Sequence, residues 1–313
     1  MIAPNRASEQ LPCLVRRIDL SATAVPLRVG YTVVSAYRLR TRAMNHVFLI
    51  LTIVCYSASL ALYLAFLNAG KKLGERSATV FLALGLVAHY FALLERSRGS
   101  HTVPYHDLYG SLSLFGWLLG LTYLVLELFH RQRSVGAFIV AMVLAVFLAS
   151  NLAPPDKLTP PPAHGPVFAL HVTLSILAYA AFALSFVLSL MYLAEEQLLR
   201  SRKLGNVVWR LPPLDLLERM SRSSVLIGLC SIAVGTVLGF VWVDRLHGGF
   251  WYYDPKYVIT LLVLLLYAVY FFVSRTAAWR GARASKFCIF NFVIVILSFT
   301  VVNLYISHSH RYF

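Results

Sequence analysis

The sequence predicts an all-α protein, a polytopic integral membrane helix bundle with about eight transmembrane helices. Three observations carry that prediction. Of the 313 residues, 59% are hydrophobic and 13% charged, and the mean hydropathy is +0.71; an aqueous surface needs far more polar cover. The apolar residues fall into long runs, each near the ~20 residues a helix needs to cross a bilayer. The basic residues lie between the runs and favour alternate loops, which is how membrane proteins set their orientation. The formal charge of +15 therefore reads as topology in membrane lipid, with no nucleic-acid partner.

Residues 1–43 are polar and mixed, with seven Arg and no apolar core of the kind a signal peptide carries. They read as a polar N-terminal extension, either disordered or the product of a mis-assigned start, with Met44 immediately before the first membrane run. Residues 44–313 form the transmembrane domain. Its runs cover roughly 46–69, 78–94, 109–130, 135–152, 167–194, 223–243, 257–274 and 287–306. The fifth is long and continues out of the membrane as a polar helix. The loop 195–222 follows it, and within that loop 211–220, entered through Pro212-Pro213, reads as a short amphipathic helix lying in the interface.

The loops after runs one, three, five and seven hold fifteen Lys and Arg, against five after runs two, four and six, with Arg311 in the tail. The richer side is cytoplasmic by the positive-inside rule. The loop between runs six and seven, the Pro-rich loop 154–166 and the C-terminal tail then share the outer, periplasmic face of the cell's inner (plasma) membrane. The seven Arg of residues 1–43 fall outside, against the rule, which further sets that segment apart.

Between runs six and seven stands His247-Gly248-Gly249-Phe250-Trp251-Tyr252-Tyr253-Asp254-Pro255-Lys256. The two glycines let the backbone bend closely, and four adjacent rings offer flat, rigid surfaces. Asp254 is placed to cap the next helix, with Pro255 at its first position. Two readings of the rings stand side by side: an anchoring belt of Trp and Tyr, or a platform for a flat ligand.

Ten His are present. His46, His89, His106, His130 and His164 show no ligand pattern and read as interfacial or packed. His101 lies in an outer loop. His171 sits about one turn into run five, near the outer face, and His308 and His310 follow run eight. Each alone is more often structural. Together they share the depth of the aromatic loop, and an imidazole on each side of a flat shelf suits six-coordinate haem iron, which takes two axial nitrogens with the macrocycle between them.

Other chemistries find no support in the sequence. Cys13, Cys55, Cys230 and Cys288 are scattered without a CxxC pair, and the last three lie in apolar runs as small hydrophobes. No Cys-x-x-Cys-His is present for covalent haem. No two His stand thirteen or fourteen residues apart on a helix, as stacked haems in an electron-transfer bundle require. Walker, HExxH and nucleophile-elbow motifs are absent. A small-solute transporter keeps ionisable groups at mid-membrane, and only His89 qualifies.

On these residues the chain resembles the CcsA/ResC family of cytochrome c assembly proteins, including its HemX-like branch, over about residues 90–313. The aromatic loop is similar to the family's WWD signature, W-G-x-x-W-x-W-D-P-K-E: Trp251, Asp254, Pro255 and Lys256 match, while His247, Tyr253 and Tyr257 replace Trp, Trp and Glu. Leu170-His171-Val172-Thr173-Leu174-Ser175-Ile176-Leu177-Ala178-Tyr179-Ala180-Ala181 resembles L-H-V-S-x-x-x-L-S-Y-A-A, in which His171 matches the first external haem ligand. Pro104 to Ser111 is similar to P-L-S-N-L-Y-E-S, with His101 upstream. Trp279-Arg280-Gly281-Ala282-Arg283-Ala284 is similar to W-R-G-x-R-A. Val302-Asn303-Leu304 through His310 follows the V-N-L…H-S-Y ending, which favours His310 over His308 as the second external ligand. One departure stands out: many members carry a membrane-embedded His after the loop, where Phe272 stands here.

The resemblance implies a membrane haem-handling protein of cytochrome c biogenesis that presents haem at the outer face for attachment to apocytochrome c. The haem would be b-type, non-covalent and in transit, ligated by His171 and His310 over Trp251, Tyr252 and Tyr253, with Asp254 fixing the loop and His247 and His101 alongside. It implies a partner membrane protein of the assembly system, and a place in a cytochrome c haem lyase, whose chemistry is thioether formation between haem vinyls and Cys thiols. The altered loop and Phe272 keep open a second expectation, a HemX-like non-catalytic factor assisting assembly or regulation in the haem pathway.

Overall fold

The computed structural model is all-helical. It describes residues 24–69, 72–100, 108–152, 165–201, 212–247 and 255–301, with side chains for 46–68, 76–98, 109–152, 165–201, 212–245 and 257–298. The helices are α1 (Ala24–Ala69), α2 (Lys72–Ser100), α3 (Leu108–His130), α4 (Gly136–Ala149), α5 (Gly165–Arg200), α6 (Leu214–His247), α7 (Pro255–Val273) and α8 (Ala282–Val301). Two compact units are present, Met1–Ala43 and Met44–Phe313; the packing described below lies in the second.

Five described segments are long and apolar enough to cross a membrane: His46–Asn68, Arg76–Arg98, Tyr109–His130, Gly165–Arg200 and Leu214–Arg245. α4 and the Tyr257–Val273 part of α7 are apolar but shorter. The 14 residues of α4 reach about 21 Å, less than a ~30 Å hydrocarbon core. Large apolar side chains such as Val54, Leu84, Val125, Val237 and Leu265 face outward, a surface suited to acyl chains. Hydroxyls turn back on their own helix, as Thr52 does to the Phe48 carbonyl, Thr122 to Leu118 and Thr236 to Ile232, which satisfies them where water is lacking.

Two apolar cores share α5. The first joins α1, α2, α3 and α4 to one side of α5 and the start of α6, around Tyr56, Tyr63, Leu119, Tyr123 and Leu184. The second joins α5, α6, α7 and α8 around Phe182, Ile232, Tyr267 and Cys288. Phe182 stacks on Tyr267 with centroids 3.7 Å apart, and a Cβ on Gly228 of α6 would collide with the Phe182 ring. Cys55 and Cys288 are buried and Cys230 faces outward, all as free thiols.

Polar clusters lock the end of the bundle opposite His171. Glu127, 1% exposed, accepts hydrogen bonds from Tyr63 Oη at 2.5 Å and from Thr79, and pairs with Arg133 Nε at 3.5 Å across the α3–α4 turn. Arg131 enters that turn at φ 54°. Between α5, α6, α7 and α8, Ser185 contacts Ser221 and Cys288 at 2.8 and 2.9 Å, and Ser221 contacts Tyr270 Oη at 3.3 Å.

One expectation is corrected. Residues 214–220 are not a separate interfacial helix; they are the first two turns of a continuous α6. Leu217 and Met220 are buried in the first core, and Ser221 and Ser224 bond to α5. The polar stretch that reads as a break is instead a polar contact between helices.

Candidate functional site

His171 is positioned by α5 and α6, the most extensively packed helix pair among the described residues. Its Nδ1–H donates to the Gly235 carbonyl of α6 at 2.6 Å. A carbonyl only accepts, so this bond holds the neutral imidazole's proton on Nδ1 and leaves the Nε2 lone pair open. The ring lies against Gly239, where a Cβ would stand 2.8 Å from Cε1 and 2.9 Å from Nδ1. Gly235 and Gly239 are one turn apart on one face of α6: one supplies the acceptor, the other the space. Ser175 Oγ donates to the His171 carbonyl at 2.8 Å, and Phe168 packs on Trp242 at 4.5 Å beside the imidazole.

The level of this ring along the bundle follows from three helices. Gly281 N–H donates to Glu218 Oε2 at 3.3 Å, and a Cβ on Gly281 would stand 2.7 Å from Tyr192 Oη. Residues 192, 218 and 281 therefore share one level. From it, His171 lies 21 residues back along α5, Gly239 lies 21 residues on along α6, and Val301 lies 20 residues on along α8. At 1.5 Å per residue each path is about 30 Å, so the C-terminus of α8 reaches the level of His171. The start of α7 belongs to the same end, because Tyr257 stacks on Phe240 of α6 at 5.2 Å and 19°. α7 begins at Pro255, the first helical position expected for it. The helices on both sides of the aromatic loop thus end beside His171.

Trp251, Tyr252, Tyr253, Asp254, His101, His308 and His310 lie outside the described residues, as does the side chain of His247, whose backbone closes α6. His106 and His164 also lie outside the described residues, and the other described histidines behave as packing or surface groups. His89 is wholly buried, held by Tyr56 Oη on Nδ1 at 3.1 Å and Ser113 Oγ on Nε2 at 3.0 Å, with Phe147 against its face. His130 Nε2 meets Ser223 Oγ at 3.1 Å, and His46 is exposed.

The donor chemistry at His171 fits an axial haem ligand: one open imidazole nitrogen, its tautomer fixed from behind, beside aromatic walls. Among the described residues no group of three or more His, Cys, Asp or Glu could hold a bare metal ion.

A family model described as "Cytochrome C assembly protein" matches residues 105–310. The chain belongs to the cytochrome c assembly protein family. It is similar to Protein HemX of Brevibacillus brevis, 27% identical over 261 residues, covering 80% of this chain and 92% of that protein. It is also similar to cytochrome c biogenesis protein CcsA of Parasynechococcus marenigrum, 26% identical with 81% and 92% covered, and of Chlorella vulgaris, 24% identical with 82% and 94% covered.

In this member of the cytochrome c assembly family, two features gain a physical account. The Trp279–Ala284 segment is a structural latch. Gly281 sits at φ +77°, in the left-handed region that favours glycine; its N–H binds Glu218, which also pairs with Arg222 at 2.5 Å and Arg280 at 3.6 Å. Phe272 is 66% exposed, so its position faces away from the bundle interior.

The Gly235–Gly239 pair and the Glu127 and Glu218 networks are absent from the reading of the sequence. The pair carries a signal, two glycines one turn apart in a bulky apolar run, but it gains meaning only once α5 is known to lie against it.

Proposed function

We propose that this protein binds haem at the outer face of the membrane, with His171 Nε2 on one side of the iron and His310 on the other. Trp251, Tyr252 and Tyr253 form the shelf beneath the macrocycle, Asp254 caps α7 to fix the loop, and His247 and His101 border the site. His308 is the alternative second ligand. One observation carries the reading: His171 is oriented by the Gly235 carbonyl with Nε2 open, and α8 ends at the same level only nine residues before His310.

Membership of the family gives the protein a role in cytochrome c biogenesis. Within that role, we read the eight helices as eight crossings of the inner membrane, with the flanking turns extending α4, and with the aromatic loop and C-terminus outside as the loop charges require. The haem is b-type and non-covalent, and when bound it brings the vinyl groups that become thioethers on an apocytochrome c. The chain's own residues bind it, orient it and set the iron's axial field. A partner membrane protein of the assembly system completes the apparatus.

A second reading, a HemX-like factor without catalysis, is favoured by Phe272, which leaves α7 without a membrane-embedded ligand. Purification from haem-replete cells separates the outcomes. The first reading expects a Soret band near one haem per chain, and loss of c-type cytochromes when the gene is deleted. Haem-free wild-type protein overturns it, while haem-binding protein with intact c-type cytochromes in the deletion favours the second.

A further inference from the structure

At the opposite end of the bundle, a shallow groove of about 510 Å³ is lined by Trp279, Arg283, Lys286, Phe287 and Phe290. The last four stand at i, i+3, i+4 and i+7 and so share one face of α8; Trp279 comes from the α7–α8 connector and sits 6.1 Å from the Phe287 ring. The face is graded along the helix. Its two cations occupy the first turns, and Phe290, 58% exposed, lies deeper. No Asp or Glu lines the groove; Glu218, which meets the same α7–α8 connector, is engaged by Arg222, Arg280 and Gly281. Arg283 spends one N–H on the Ala278 carbonyl at 2.9 Å, and the exposed Lys286 has no acidic partner among the described residues. Two uncompensated cations above an aromatic wall match an amphiphile with an anionic head and an apolar tail. The lining holds no His, Cys, Met or Tyr, the side chains that ordinarily ligate haem iron, which argues against haem as the occupant. We propose that this groove binds an anionic phospholipid, its phosphodiester between Arg283 and Lys286 and an acyl chain along Phe287 and Phe290.

The site is independent of the haem reading and uses the loop-charge orientation only for its sidedness. The full chain, reconstituted with equimolar phosphatidylglycerol and phosphatidylcholine, is released into native mass spectrometry and the retained lipid identified. Wild type retains phosphatidylglycerol preferentially. With each cation contributing about fivefold near an anionic surface, R283Q/K286Q lowers that retention by about 25-fold. The charge-conserving R283K/K286R keeps it, which separates lost charge from a loosened connector, and the haem spectrum of both variants stays that of the wild type. Equal retention of the two lipids by the wild type overturns the proposal, as does undiminished retention by R283Q/K286Q or loss in R283K/K286R. Displacement of the lipid by millimolar glycerol phosphate, or by haemin in a manner that requires Arg283 and Lys286, assigns the groove to a soluble anion or to haem and overturns it equally.

Discussion

His171 is oriented by main chain rather than by a second side chain, so its support cannot be removed by deleting a partner. It can be removed by filling the space at Gly239. Gly239→Ala puts a methyl 2.8 Å from the imidazole and pushes the ring off the Gly235 carbonyl; haem content, read from Soret absorbance per protein, falls on the order of tenfold, the usual cost of losing an outer support to a ligand. Unchanged content would show that the ring needs no such seat. Glu127 makes the contrasting case, a buried charge whose role is stability. Glu127→Gln removes the charge that Arg133 pairs with, and because Arg133 is 24% exposed the cost is about 2–3 kcal/mol, below the ~3–5 of a fully enclosed pair. The thermal midpoint in detergent drops while haem per folded protein holds. The place of His171 near the start of α5 was legible in the sequence, because the apolar run that follows it fixes its depth. Gly239 and Glu127 were not, because what each does depends on a neighbouring helix the sequence does not order.

Helices show the same division. Apolar run length located all eight, and Pro255 marked the start of α7. The join between the amphipathic stretch and run six was misread: the loop was expected to run to residue 222, yet Ser221 bonds to Ser185 and Ser224 to the Ala181 carbonyl, contacts that need α5 alongside. The connector from α7 to α8 is held by Gly281 at φ +77° against Tyr192 and Glu218. Gly281→Ala forces a Cβ into both the left-handed region and the tyrosine hydroxyl. It costs about 1–2 kcal/mol from the backbone term alone and speeds protease cleavage within 274–281; cleavage at the wild-type rate would contradict the latch. On α7, Phe272 points outward. Phe272→His therefore leaves the visible spectrum of the isolated protein unchanged, and a new low-spin species in that variant would mean the position reaches a ligand inside the bundle.

Across the whole bundle, polar locks stand at one end and a cluster of helix termini at the other, which is the frame the proposed site requires. Three paths of about 30 Å bring His171, the Gly239 seat and the end of α8 to one level, and α6 ends and α7 begins at that same end of the bundle. The class of molecule was legible from hydropathy and loop charge alone. The meeting of α5 with α8 was not, because it depends on which helices pack together. The central claim is that one iron is shared by two imidazoles contributed by α5 and the C-terminal tail. The low-spin ferric electron paramagnetic resonance spectrum of purified protein tests it most directly. The account predicts a bis-imidazole signal in the wild type that gives way to high-spin iron in both His171→Ala and His310→Ala and persists in His308→Ala; a bis-imidazole signal that survives His171→Ala would contradict it.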